Sequence, residues 1–147
     1  EQLQLQTLDR AAQKFVDIVI RPTLAAPRGE RRVRTLLDAW LDWTRETLEG
    51  GCIFVAAAAE LDDQEGPLRD ALVRNELDWL ELIATVAGTA VAEGDFREDL
   101  DPRQFAFEVH GVMLAFHHAS RLLRDERAGE RVGRAFESLL ETARRTS

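Results

Sequence analysis

A single cysteine, Cys52, stands in the 147-residue chain, so no internal disulfide can staple the fold and no cysteine framework can hold a metal. A reducing, cytoplasmic setting suits such a chain. Long hydrophobic runs are also missing. The longest, Cys52 to Ala59, is 8 residues, against the roughly 18 to 20 that a membrane-spanning helix needs. No secretory leader and no initiator methionine open the chain at Glu1, which reads as a processed or excised piece of something longer. Positive charge is in short supply: 19 basic against 27 acidic side chains leave a net charge of -8 and a pI near 4.9. That is the wrong sign for a surface that tracks a phosphate backbone. Catalytic motifs are absent too. There is no Gly-x-Ser-x-Gly, no P-loop and no Gly-x-Gly-x-x-Gly, and of three serines one is the terminal Ser147, so nucleophile and nucleotide chemistry have no seat. Glu108-Val109-His110 has the wrong spacing for the Glu-x-x-His of a di-iron bundle. The run Glu60 to Glu65 lacks the alternating oxygen ligands of a calcium loop and reads as a polar turn. Neither an enzyme nor a metal or other cofactor is expected.

What is present is a helical vocabulary. Leu and Ala supply 20 residues each, whereas Val, Ile and Thr together supply 23, and sustained strand alternation is nowhere found. Helix breakers bunch at Pro22 with Pro27 and Gly29, at Gly50-Gly51, at Gly66-Pro67, from Gly94 to Pro102, and at a polar seam near Asp125. Five breaks predict six helices in a single all-α domain over residues 1–147. They run from Leu3 to Arg21, Glu30 to Glu49, Ile53 to Leu61, Pro67 to Glu93, Pro102 to Arg124 and Glu126 to Arg144. Asp101-Pro102 with Gln104 is a helix start, combining a capping carboxylate, a first-turn proline and a capping-box partner. Gly50 and Gly94 fall where a left-handed residue closes a last turn.

Helix faces then predict burial. The second helix is apolar on one side through Val33, Leu36, Leu37, Trp40, Trp43, Thr44 and Leu48. The fourth carries two stripes, leaving only Asp70, Arg74, Asp78 and Glu81 plainly for water. The fifth is two-sided as well, with Phe105, Val109, Val112, Phe116 and Leu123 on one flank and Phe107, Gly111, Leu114 and Leu122 on the other. A helix apolar on two flanks needs a second partner surface, inside the fold or across a subunit boundary. The last helix offers a stripe of Val132, Phe136, Leu139, Leu140 and Ala143, with Gly129 and Gly133 forming a notch for a close crossing. Either it docks on its own core, or the last two helices of two chains make an intersubunit four-helix bundle.

Candidate binding residues sit among the aromatics and histidines. Trp40, Trp43, Phe54 and Trp79 fall on three helices, with Asn75 one turn before Trp79 and Ile83 one turn after. They are either solid core or the wall of a pocket oriented by one amide. His110 and His117 share a flank with Met113 and Arg121, as hydrogen-bonded semi-buried side chains or as pocket lining. The neighbours His117 and His118 point about 100° apart on a helix and cannot chelate as they stand. Cys52 is better read as a small buried hydrophobe than as a redox sensor at a helix start. Arg28, Arg31, Arg32 and Arg34 form a short basic patch without aromatic interleaving, which reads as a solvated helix start.

The run Gly50-Gly51-Cys52-Ile53-Phe54-Val55-Ala56-Ala57-Ala58-Ala59-Glu60 with the following Leu61 to Leu72, the segment Asp101 to Glu108, and His117 to Leu123 together resemble the C-terminal regulatory domain of TetR-family transcriptional regulators. The resemblance spans nearly the whole chain. Family members begin with a helix-turn-helix unit of about fifty residues, and this chain starts where the connecting helix would be. The resemblance implies a small-molecule-sensing and homodimerising domain of a repressor, whose second to fifth helices enclose the effector cavity and whose last two helices pair with their mates. The residues expected to line that cavity, Trp40, Trp43, Phe54, Asn75, Trp79, Ile83, His110, Met113 and His117, are largely aromatic and apolar and favour an apolar or aromatic effector. Operator DNA would be reached only through the missing N-terminal part, and no membrane is implied. A free-standing acidic helical dimer acting as a protein-interaction module is the alternative.

Overall fold

Pro22 does not end the first helix. In the computed structural model, which describes residues 1–46 and 51–145, α1 (Gln2–Phe15) passes into a π-helical segment (Val16–Ile20) and on into α2 (Arg21–Ala25) without a break. A proline inside an α-helix removes a donor and presses its ring on the carbonyl four residues back. The wider π turn immediately before Pro22 absorbs that conflict: the Arg21 amide donates to Val16 O, five residues back. Thr23, wholly buried, then donates its hydroxyl to Val19 O at 2.7 Å. The chain turns only at Ala26, where ψ reaches 151°.

After that corner come α3 (Glu30–Glu46), α4 (Ile53–Leu61), α5 (Pro67–Ala92), α6 (Pro102–Arg121) and α7 (Ala128–Ala143). The predicted end of the second helix at Glu49, its face residue Leu48 and the stop at Gly50 lie outside the described residues. The first helix runs four residues past its expected end at Arg21, the remaining ends agree within three residues, and α4 begins and ends as expected. Asp101 Oδ1 accepts from the amides of Arg103 at 3.0 Å and Gln104 at 3.3 Å, capping α6. Gly94, with φ +83°, closes α5 in a Schellman turn: the Asp95 amide reaches Ala90 O at 2.9 Å and the Gly94 amide reaches Val91 O at 3.1 Å.

That α5 terminus anchors the α2–α3 corner. The Gly29 amide donates to Thr89 Oγ1 at 3.2 Å and the Glu30 amide to Asp95 Oδ2 at 2.9 Å. Arg28 pairs with Glu93 at 3.0 Å. Arg32 donates to the carbonyls of Ala26 and Leu24, and Arg34 bridges Glu30 and Glu137. Three of the four clustered arginines are thus structural ties within the chain rather than a free basic patch. Arg144 completes the set with a forked pair to Glu30 at 2.7 and 3.0 Å. These arginines hold the Glu30 carboxyl below the usual range, Arg144 most of all, against the opposing effect of burial.

The core is shared by Leu36, Trp40 and Trp43 of α3, Ile83, Val86 and Ala90 of α5, Val109 and Met113 of α6, and Phe136 and Leu140 of α7. Phe96 is fully buried although it sits in the Gly94 to Pro102 loop, its ring 5.6 Å from that of Phe105. Beside it the Arg97 amide reaches Ala143 O at 2.9 Å and the Arg145 amide reaches Asp95 O at 3.2 Å, an isolated bridge that clasps the end of α7.

On α7, Val132, Phe136, Leu140 and Ala143 are buried against the chain's own core, and Leu139 packs beside them, so within one chain this stripe docks on its own core, one of the two placements left open by the sequence. Gly129 and Gly133 lie on the opposite, exposed side with open space above them. α6, by contrast, is two-sided as predicted in pattern but covered on one side only: Phe105, Val109 and Met113 are buried, whereas Phe107 is 72% and Leu122 69% exposed. Among the described residues no helix is long and apolar enough to cross a membrane.

Candidate functional site

Between the first helix, α3, α4, α5 and α6 lies a cavity of about 170 Å³. Its floor is aromatic and apolar. Phe15, Trp40, Cys52, Phe54 and Met113 line it, and each is itself buried. Trp79, half-buried, meets Phe15 edge-to-face with centroids 4.9 Å apart, and Phe15 meets Phe54 in the same manner at 5.8 Å. Trp40 is held from behind by Phe116 at 5.9 Å. The polar lining comes from Asn75, Glu76 and Asp78 on α5 and His110 on α6. Glu76 Oε2 stands 3.5 Å from His110 Nε2, both partly exposed.

The expected ligand residues divide. Trp40, Phe54, Asn75, Trp79, His110 and Met113 come together around the cavity, while Trp43, Ile83 and His117 are placed elsewhere. Trp43 is core: its ring stacks on Phe54 at 6.1 Å, edges against Phe15 at 5.2 Å, and its indole N–H points at Cys52 Sγ, 3.5 Å away. Ile83 lies one turn deeper along α5 than Trp79 and is buried among helices. His117 accepts a hydrogen bond from the Cys52 amide at 3.2 Å, behind the cavity wall. Accepting there requires an unprotonated Nε2, and burial, aided by Arg121 and His118, pushes the imidazole below its ordinary value.

Cys52 lines the cavity, and burial pushes its thiol up. A neutral thiol suits the reading of a small hydrophobe, not that of a redox sensor. Among the described residues no three His, Cys, Asp or Glu side chains converge as a metal site would need.

Sequence reasoning missed Ala12, Phe15, Val16 and Ile20, the contribution of the first helix. Phe15 and Ile20 are five residues apart, a spacing that an α-helix splays and only the π turn brings to one wall. Glu76 was not singled out and Asp78 was assigned to water. The structure puts both on the cavity lining, Asp78 at the exposed edge. Leu114, expected at a subunit boundary, stands at the cavity mouth, 39% exposed.

A family model described as tetracycline repressor-like, C-terminal domain, matches residues 29–136. Comparison with curated proteins returns no match. Among solved structures, a TetR transcriptional regulator from Chloroflexus aurantiacus superposes with a TM-score of 0.81 at 25% identity, over 96% of this chain and 70% of that one.

Proposed function

The chain belongs to the tetracycline repressor-like family through its C-terminal domain, and from that premise we propose that it is the effector-sensing and dimerising part of a transcriptional regulator. One observation carries the sensing role: the cavity is walled on one side by Phe15, Val16 and Ile20 of the first helix and on the other by α3 to α6. A small molecule seated there touches the first helix directly. A ligand that prefers one packing of these walls shifts the angle of that helix, and through it the DNA-reading unit that we place upstream of Glu1. The chain itself, at net charge -8, contributes no operator affinity.

The exposed flank of α6 supports pairing. Phe107, Gly111, Leu114 and Leu122 recur on one face of the helix and remain uncovered within the chain, and Gly133 offers a close-approach notch on neighbouring α7. We assign the homodimer to this flank, with the buried α7 stripe supporting it from beneath. An acidic interaction module would use the same flank, but it has no need of an aromatic cavity.

Two measurements test the reading. Sedimentation at micromolar concentration is expected to find a dimer, and a stable monomer would remove the pairing. Thermal-shift screening is expected to find small molecules that raise the melting temperature by mass action and saturably quench tryptophan fluorescence. A broad screen without a hit would favour the interaction module.

A further inference from the structure

We propose that the effector is a small organic cation, an ammonium or amidinium group carried on an apolar or aromatic body. This rests on the sensor reading above and goes beyond it by fixing the charge of the ligand. Glu76 and Asp78 line the cavity together with Asn75 and Trp79. Two residues apart on α5, the carboxylates stand about 160° apart round the helix axis, so they flank the Trp79 face from either side. The only basic side chain among the described residues of the lining is His110, whose Nε2 stands 3.5 Å from Glu76 Oε2. In a chain with 19 Lys and Arg side chains, a lining with two carboxylates and no guanidinium or ammonium group sets a sign. It repels an anionic head such as that of a fatty acid. It also offers a cation what an apolar pocket ordinarily lacks, a counter-charge at the mouth and electron-rich ring faces beneath.

Depth orders the ligand. The floor residues Phe15, Trp40, Phe54 and Met113 are buried, whereas Glu76 is partly and Asp78 openly exposed. The body therefore sits inward and the charged head at the mouth, where it keeps part of its hydration and exchanges against His110 for Glu76. A cavity of about 170 Å³ takes a body of one aromatic ring, since a cavity of roughly 150 Å³ holds benzene.

The test uses three probes that share one body and differ only in the head: 3-phenylpropylamine, 3-phenylpropan-1-ol and 3-phenylpropionate, titrated into the chain at low ionic strength with tryptophan fluorescence and melting temperature as readouts. The amine is expected to bind about tenfold or more tighter than the propionate, a difference of about 1.4 kcal/mol. In the Glu76→Gln/Asp78→Asn double variant that preference should vanish while the alcohol still binds saturably, which also shows that fold and cavity survive. Saturable binding of the alcohol or the propionate at least as tight as the amine would leave the cavity a ligand site and overturn the cation. Retention of the amine preference in the double variant would also overturn it. Silence from all three probes would remove the cation and the sensor together.

Discussion

The imidazole Nε2 of His117 accepts a hydrogen bond from the backbone amide of Cys52, 65 residues earlier, at 3.2 Å. This bond fixes the start of α4 to the C-terminal half of α6, and it exists only while that nitrogen is unprotonated. Burial and the nearby Arg121 hold the His117 value below the ordinary one. In the unfolded chain the same imidazole takes a proton near about pH 6.5. Below that pH the unfolded state therefore binds more protons than the folded one, and stability is lost as pH falls. The contribution is complete above about pH 7. Urea unfolding at pH 7.5 and 5.5 should show a larger acid loss for the natural chain than for His117→Gln. An equal loss in both would dismiss the His117 contribution.

Trp43 and Trp79 should respond differently to truncation. Trp43 is enclosed by Phe15, Phe54 and Cys52, and Trp43→Ala should cost roughly 3 to 5 kcal/mol. Trp79 already borders empty space, so Trp79→Ala should cost less and chiefly weaken ligand binding. Urea midpoints in the reverse order would contradict the division between core and cavity wall.

Gly29 has φ +112°, and a methyl group there would collide with the Asp95 carboxylate. Gly29→Ala should therefore destabilise by roughly 1 to 3 kcal/mol from backbone strain, with further loss as Asp95 leaves the Glu30 amide. Gly88 lies in the interior of α5 with nothing near its missing side chain. Gly88→Ala should raise stability by about 0.5 to 1 kcal/mol. Thermal melts of the two variants should move in opposite directions.

Phe107 is a clean probe of pairing, because it is largely exposed within the chain. Phe107→Glu should yield a folded monomer with the melting cooperativity of the subunit retained. Leu140→Glu, at a buried site, should fail to fold. A Phe107→Glu chain that still sediments as a dimer would move the interface elsewhere.

Secondary structure was legible because its signals are local. Asp101 before Pro102, Gly94 after a periodic run and the alanine-rich stretch after Cys52 each act on the turn they sit in. Phe96 was not legible: it reads as loop, and the turn that bonds its amide to Ala90 O and the clasp of its neighbours Asp95 and Arg97 on the end of α7 carry it into the core. Pro22 misled for the opposite reason, since its ordinary effect is cancelled by a π turn that no periodicity announces. Around the cavity, six of nine expected residues came together. The exceptions, Trp43, Ile83 and His117, share a helix face with lining residues but differ in depth, which a helical wheel does not encode. For α7, the apolar stripe was visible but not its partner, because amphipathicity states that a face is buried without stating by whom.

The π segment also buffers the rotational phase of everything that precedes it. Its hydrogen bond spans five residues where an α-helix spans four, while turning the chain about as far. Deleting one residue there would restore ordinary winding with the flanking helices nearly in phase, whereas deleting one before Leu8 would shorten the rod by only about 1.5 Å and swing the chain before it by about 100° round the axis. Cavity, α6 flank and α7 clasp lie beyond that second deletion and would keep most of their contacts. A unit fused at Glu1 would face a new direction, with sensing and pairing preserved but their outcome aimed away from its target.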